Sequence, residues 1–168
     1  MFKKVIKRKN IALICSSFHK TAGGLERQIL LTCHSLLKKN QKVFLMSYDN
    51  EGALPFYKIP SGVIWIKCGN NLEPHKSSTK IERLKQIFNL RKILIENDIN
   101  TLITFHHGIF PRSLIATLFL PIKLIVSERN SLDNYKYIKL SIFNIGFFSM
   151  FFANKITVQL FSYKKKYP

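Results

Sequence analysis

The sequence predicts an α/β domain with a mainly parallel sheet and helices on both faces of that sheet. Short apolar runs rich in β-branched residues alternate with longer segments whose apolar residues recur at helical spacing. The connections between successive apolar runs are long enough for crossover helices, which parallel strands require. These features are typical of a Rossmann-like architecture, in which ligands bind beyond the carboxyl ends of the strands.

The first half of the chain contains three predicted strands and one predicted helix. Ile11–Cys15 is a continuous apolar run with the length of a buried parallel strand. Gly24–Lys39 carries its apolar residues on one helical face, and its basic end suits the helix dipole. Further strands are predicted at Lys42–Ser47 and Val63–Cys68, with the polar turn Asp49–Gly52 after the first of these two.

The second half continues the alternation. Ser77–Thr79 offers caps for a helix over Lys80–Asn97, whose apolar residues from Ile81 to Leu94 predict a bend or a change of face near Leu90. The remaining predicted elements are a strand at Thr101–Phe105, a helix at Arg112–Phe119, a strand at Lys123–Glu128, an aromatic helix at Tyr137–Phe152 and a strand at Lys155–Gln159.

Composition indicates a folded domain with anionic partners. The 168 residues fit one domain, preceded here by a basic N-terminal segment, so we divide the chain into residues 1–9 and 10–168. A hydrophobic content of 46% excludes disorder. With 27 basic and 9 acidic residues the net charge is +18, which attracts phosphorylated substrates, anionic lipid head groups or nucleic acid.

The cysteines and the apolar stretches place the protein in a reducing compartment. Cys15, Cys33 and Cys68 form no C-x-x-C pair and no Cys/His ligand spacing, so we expect no metal, no resident cofactor and no disulfide. The basic N-terminus lacks the apolar region of a signal peptide, and Leu140–Ala153 is too short to span a bilayer. The sequence therefore predicts a cytoplasmic protein.

Three polar clusters directly follow predicted strands and so fall on the ligand side of the sheet. In the first, Gly23–Arg27, the two glycines lack a Cβ and let the backbone approach a ligand, while the helix start attracts an anion. The alternative is a glycine pair, Gly23 and Gly24, that merely ends a loop, with Glu26 and Arg27 stabilising the first helical turn.

The other two clusters are His106–Gly108 and Ser127–Asn130. His106 and His107 can hydrogen-bond a sugar hydroxyl or a phosphate, or titrate as a pair; alternatively one caps the next helix and the other is solvated. Glu128, Arg129 and Asn130 offer a carboxylate, a bidentate anion donor and an amide, or else form a loop ion pair.

Two enzyme classes are disfavoured. Only nine carboxylates occur, and none pairs closely with another at a strand end, which argues against a two-carboxylate hydrolase. The chain also lacks G-x-x-x-x-G-K-[ST], which argues against a P-loop nucleotidase.

The motifs together resemble a known family. GGLER after the first strand, the histidine pair after the fourth and VSERNS after the fifth resemble the N-terminal, acceptor-side domain of GT-B glycosyltransferases of family 4. The final segment, ANKITVQLFSYKKKYP, is similar to the last strand and helix of that domain, so the resemblance covers nearly the whole chain.

The resemblance implies transfer of a sugar from a nucleotide-sugar donor, with retention, to a cell-envelope polysaccharide or lipid-linked acceptor. It implies that Gly23 and Gly24 approach the donor phosphates and the acceptor. It further implies that His107, or alternatively His106, contacts the transferred sugar as the candidate catalytic residue, and that Glu128 and Arg129 line the site.

The sequence departs from the family in one respect. Members carry a second Rossmann domain that holds most of the nucleotide-sugar site, including two glutamates seven residues apart, and this chain does not contain it. We therefore expect weak donor binding and negligible turnover from this chain alone, and a separately encoded C-terminal domain as a candidate partner.

Other functions stay open at this point. The Phe-rich segment Tyr137–Phe152 beside lysines is suited to an anionic membrane surface, here the inner face of the plasma membrane, or else packs inside the domain. A nucleic-acid-binding module would use the positive charge, but the aromatic residues sit in apolar runs instead of alternating with lysines. A non-catalytic remnant of a longer enzyme is the third alternative.

Overall fold

The computed structural model describes residues 8–69, 79–129 and 145–168. The strands are β1 (Asn10–Cys15), β2 (Lys42–Ser47), β3 (Val63–Lys67), β4 (Thr101–Phe105), β5 (Lys123–Glu128) and β6 (Lys155–Val158). The helices are α1 (Gly24–Lys38), α2 (Lys80–Glu96), α3 (Phe110–Thr117) and α4 (Ile145–Ser149), with 3₁₀ segments at Met150–Phe152 and Phe161–Lys166.

All six strands are parallel and form one sheet in the order β3-β2-β1-β4-β5-β6. Leu13 of β1 lies opposite Leu45 of β2 on one side and Ile103 of β4 on the other. The strand order reverses between β1 and β4, and in such sheets the loops after these two strands diverge and leave a crevice. The predicted Rossmann-like fold class is confirmed.

Two apolar clusters cover the two faces of the sheet. Ala12 and Ile14 of β1 join the cluster that contains buried residues of α2 and α3, whereas Leu13 and Cys15 join the cluster that contains those of α1. This alternation is the period of two that a strand buried on both faces imposes. Cys33 of α1 is also fully buried, so Cys15 and Cys33 are both core residues.

The predicted elements are present, with small differences at their ends. α3 begins two residues early, at Phe110, because Pro111 fits the first helical turn. Thr79 caps α2 as predicted: its Oγ1 accepts from Glu82 N at 3.3 Å, and Glu82 Oε2 accepts from Thr79 N at 2.6 Å. The predicted aromatic helix falls within the described residues only from Ile145 onward and ends as a 3₁₀ turn.

The buried face of α2 differs from the predicted one. Ile81, Leu84 and Phe88 are exposed, and the residues that α2 buries include Ile87 and Leu90. The helix runs unbroken, so the second apolar row is a solvent-facing stripe, not a second packed face. Across the described segments, no helix combines the length and the apolar character needed to cross a bilayer.

Candidate functional site

The loop between β1 and α1 is held by a carboxylate from the neighbouring strand. Asp49, just beyond the end of β2, is buried, and its two oxygens accept from Ser17 Oγ and Phe18 N, each at 2.6 Å. A second link joins the same two loops, because His19 Nδ1 accepts from Leu54 N at 2.9 Å. The sequence analysis placed Asp49 in a polar turn and missed this role; its position directly after a buried strand was the available signal.

The glycine pair adopts ordinary backbone conformations. Gly23 caps α1 with φ −125° and ψ 170°, an extended conformation open to any residue, and Gly24 has no positive φ. The backbone conformation at these two positions therefore does not require glycine. A Cβ on Gly23 would collide with the Glu26 carboxylate, whereas a Cβ on Gly24 would have no neighbour within 4 Å. Gly24 thus has open space in front of it, where a ligand could approach the backbone.

Glu26 and Arg27, which follow the glycines, behave differently from each other. Glu26 is buried, with its carboxylate folded back beside Gly23 at the start of α1. Because the start of a helix carries a partial positive charge, the Glu26 carboxylate interacts favourably with the start of α1. Arg27 is exposed and forms no ion pair with any described carboxylate. The structure therefore brings Glu26 to the site but leaves the Arg27 side chain outside it.

His107 and Glu128 form a buried pair that the sequence did not predict. His107 Nδ1 lies 3.2 Å from Glu128 Oε1, and both side chains are almost completely shielded from solvent. A carboxylate accepts, so Nδ1–H is the donor in this contact, and in the neutral form of such a ring Nε2 is an acceptor. The alternative of a solvated histidine is wrong for His107, and the alternative of a loop ion pair within 128–130 is wrong for Glu128, which pairs with His107.

His106 stacks against His107 in a strained conformation. The two ring centroids are 4.1 Å apart, and His106 has φ 85°, in the left-handed region that side chains rarely adopt. Burial lowers the pKa of His106, the charge of His107 lowers it further, and Glu128 opposes both effects. His106 Nδ1 accepts from Gly108 N at 3.0 Å, so the neutral ring carries its proton on Nε2. The stacked pair therefore combines one donor nitrogen and one acceptor nitrogen.

Arg129 carries a positive charge and has no hydrogen-bond partner among the residues that the structure describes. Its Nε is buried and unpaired, and its guanidinium carbon lies 5.6 Å above the Phe105 ring. Burial lowers the pKa of this guanidinium, which nonetheless stays charged at neutral pH. A flat guanidinium with unused donors is suited to a phosphate or carboxylate. Asn130, the remaining predicted site residue, lies outside the described residues.

The unsatisfied buried polar atoms concentrate at one edge of the sheet. Among the described residues, four buried side-chain atoms lack a hydrogen-bond partner: Tyr48 OH, Thr104 Oγ1, Glu128 Oε2 and Arg129 Nε. All four belong to residues at or next to the carboxyl ends of β2, β4 and β5. Buried polar groups are nearly always paired, so such a concentration indicates a place where a ligand or bound water completes the bonding.

No other described feature competes with this edge. Within the described segments, no three His, Cys, Asp or Glu side chains come together as metal ligands would. An open depression of about 610 Å³ is lined by residues such as His34, Lys38 and Lys58, at the C-terminal end of α1 and the loop before β3. That depression lies at the amino edge of the sheet, opposite the polar cluster.

Comparison with known proteins supports the fold. No family model and no curated protein sequence matches the chain. MurG of Acinetobacter baumannii is similar in structure, with a TM-score of 0.61 and 12% identity over 90% of this chain and 41% of that one. Sucrose-phosphate synthase of Thermosynechococcus elongatus is also similar, with a TM-score of 0.57 and 13% identity over 80% of this chain and 36% of that one.

A glycosyltransferase of Rickettsia africae is also similar, with a TM-score of 0.53 and 12% identity over 73% of this chain and 30% of that one. At these identities the likeness establishes the fold, which this chain shares with glycosyltransferase structures. The chain spans less than half the length of each of the three proteins.

Proposed function

We propose that this domain is the acceptor-side half of a retaining GT-B glycosyltransferase of the family 4 type. In this proposal it helps transfer a sugar from a nucleotide-sugar donor to a cell-envelope polysaccharide or lipid-linked acceptor. The observation that carries the proposal is the group of unpaired buried polar atoms at the carboxyl ends of β4 and β5, next to the reversal of strand order between β1 and β4. The shared fold of the three similar structures supports the reaction class.

Each residue of the site has a proposed task. The Arg129 guanidinium binds a donor phosphate, because it is charged, oriented by Phe105 and not hydrogen-bonded to any described residue. His107 Nε2 accepts from a sugar hydroxyl and His106 Nε2–H donates to one, which suits a ligand whose hydroxyls do both. Glu128 is a positioning residue, since its carboxylate fixes the proton of His107 on Nδ1.

The first test is a calorimetric titration of the protein with UDP-glucose and, separately, with GDP-mannose. Arg129→Gln is expected to weaken binding of the preferred donor at least about tenfold, because a charge-assisted phosphate contact is lost. Lys38→Gln, at the far end of α1, is the charge-matched control and should leave binding unchanged. Equal losses in the two variants would show non-specific charge attraction and would refute the proposal.

Gly24→Ala separates a structural role of the glycine pair from a ligand-binding one. Nothing lies within 4 Å of the added Cβ, and alanine favours helix, so we expect unchanged stability or a gain of about 0.5 kcal/mol. Donor binding should nevertheless weaken severalfold, because the methyl group occupies the space through which a phosphate reaches the backbone. Unchanged binding in a stable variant would remove Gly24 from the site.

We propose weak donor affinity and negligible turnover for this chain alone. The described edge offers one guanidinium and one histidine pair, fewer contacts than a donor enclosed between two domains would make. A separately encoded C-terminal domain is the proposed partner. Addition of such a domain in trans should raise transfer by orders of magnitude over this chain alone, and ordinary turnover without it would contradict the proposal.

A second proposed property is attachment to an anionic membrane surface. Phe148, Phe151 and Phe152 form an exposed aromatic cluster with ring centroids about 6 Å apart, on a protein of net charge +18. We expect co-sedimentation with phosphatidylglycerol-containing vesicles that is lost when all three become serine. Phe88→Ser, at an equally exposed site on α2, is the control. Equal binding by all variants would exclude this surface.

A further inference from the structure

A second group of polar side chains lies between β2, α2 and α3. We call it the Arg112 cluster: Tyr48, directly after β2; Gln86, in α2; and Arg112, in the first turn of α3. Gln86 and Tyr48 are buried, and Arg112 is half-buried. None of the three belongs to the predicted site. α3 begins three residues after His107, so the cluster adjoins the histidine pair along the chain.

Arg112 is oriented by neutral groups only. Its Nη1 donates to Gln86 Oε1 at 2.6 Å, and its guanidinium carbon lies 4.5 Å above the Tyr48 ring. No carboxylate of the described chain pairs with it. Burial lowers the pKa of Arg112, Tyr48 opposes that effect, and the positive charge of Arg83 lowers the pKa further. Within the described part of the chain, the cluster therefore holds a fixed positive charge with no counter-ion, and one guanidinium nitrogen forms a hydrogen bond.

Tyr48 supplies a second unused donor. Its side chain is 8% exposed, and its hydroxyl is buried without a hydrogen-bond partner. Burial raises the pKa of this phenol, so at neutral pH it is an O–H donor; the charge of Arg112 acts on the phenol in the opposite direction. An unpaired buried hydroxyl costs stability, and no described residue offers this one a hydrogen bond.

We propose that the Arg112 cluster is a subsite for a phosphate group. The outer edge of the guanidinium matches two oxygens of an oxyanion, and the Tyr48 hydroxyl donates to a third. In the proposed subsite a tetrahedral oxyanion presents a third oxygen to the Tyr48 hydroxyl, which a planar carboxylate does not. Arg112 lies in the first turn of α3, where the helix start adds partial positive charge.

The inference deepens the proposed function and rests on it for the carrier of the phosphate. Arg129 already serves the donor phosphates in that proposal, and it lies over Phe105, in the apolar cluster of α1. Tyr48 belongs to the cluster of α2 and α3, on the other face of the sheet, so we assign the second phosphate subsite to the acceptor. The substrate class is then an acceptor that bears a phosphate ester. The existence of the subsite itself does not depend on the transfer reaction.

The test is a titration with inorganic phosphate at constant ionic strength, followed through the Nε–Hε resonance of Arg112. We expect a saturable shift that sodium chloride does not reproduce. Arg112→Gln should weaken phosphate binding at least about tenfold, judged by the remaining amide shifts, and Arg112→Lys should weaken it less. Lys92→Gln, at an exposed position of α2, should leave phosphate binding unchanged. A linear shift, or equal effects of Arg112→Gln and Lys92→Gln, would overturn the proposal.

Tyr48→Phe distinguishes ligand binding from structural support. Because the hydroxyl has no hydrogen-bond partner among the described residues, its removal should leave the melting temperature unchanged or raise it, while phosphate binding weakens severalfold. A loss of stability with unchanged phosphate binding would contradict the subsite.

The carrier is identified with glycerol 3-phosphate. Tighter binding of this ester than of inorganic phosphate would show that the substrate carries the phosphate, whereas equal binding would show a site for free phosphate. Both outcomes support the subsite. If neither compound binds, the subsite is contradicted. Arg129→Gln keeps the two proposals separate, because it should abolish donor binding and leave the phosphate titration at Arg112 intact.

Discussion

Replacement of His107 by alanine is expected to lower the free energy of unfolding by about 3 kcal/mol. His107 is the hydrogen-bond partner of Glu128 Oε1, and Glu128 Oε2 already has none. The variant therefore leaves a carboxyl group in the protein interior with both oxygens unpaired, together with a cavity where the imidazole stood. Urea denaturation followed by the fluorescence of Trp65, the single tryptophan, measures this loss.

The partner variant Glu128→Gln provides the control. The glutamine oxygen still accepts from His107 Nδ1–H, and no charge remains to be desolvated, so we expect a stability close to that of the native protein. In this background, removal of His107 should cost at least about 1 kcal/mol less than in the native background. An equal cost in both backgrounds would show that the His107–Glu128 contact contributes nothing to stability.

Gly69→Ala is expected to be the second most damaging change, with a loss of about 3 kcal/mol. Gly69 follows β3, and a Cβ there would lie 2.5 Å from the Tyr48 carbonyl oxygen and 2.7 Å from the Asp49 carbonyl carbon. Backbone atoms of a strand end cannot rotate away as a side chain can. Relief of the clash would require the backbone of Tyr48 and Asp49 to move. We therefore expect phosphate binding and donor binding to weaken together with the loss of stability.

Gly52→Ala is the matched control for this clash. Gly52 lies in the neighbouring turn, and its added Cβ would meet only Asn50 Oδ1, at an ordinary 3.6 Å. We expect a change in the free energy of unfolding within about 0.5 kcal/mol of zero. If Gly69→Ala were equally mild, the close packing of the β3 end against the Tyr48–Asp49 backbone would be contradicted.

The fold was largely predictable because its signals are local. The continuous apolar runs of β1, β2 and β5 identify buried strands, and Thr79 with Glu82 marks a helix start. The exposed row of Ile81, Leu84 and Phe88 was not predictable, because helical spacing shows that apolar residues share a face but not which face is covered. The order of the strands in the sheet was not predictable either, because it depends on the direction in which each connecting segment crosses the sheet.

The placement of the candidate site residues was predictable, but their contacts were not. Gly23 and His107 follow strands and Glu128 ends one, which places them at one edge of a parallel sheet. Their pairings join residues far apart in sequence: His107 with Glu128 across 21 positions, and Asp49 with Phe18 across 31. Such pairs depend on the register of neighbouring strands and on side-chain direction, neither of which has a local sequence signal.

The central claim is that a nucleotide sugar binds at the carboxyl edge between β1 and β4. The most direct test is site-resolved mapping of backbone amide shifts during a titration with UDP-glucose and, separately, GDP-mannose. We expect one of the two nucleotide sugars, at millimolar concentration, to cause saturable amide shifts that are confined to Gly23–Glu26, His106–Gly108 and Arg129. Shifts that spread over the exposed lysines, or that appear only at the amino edge near His34, would contradict it.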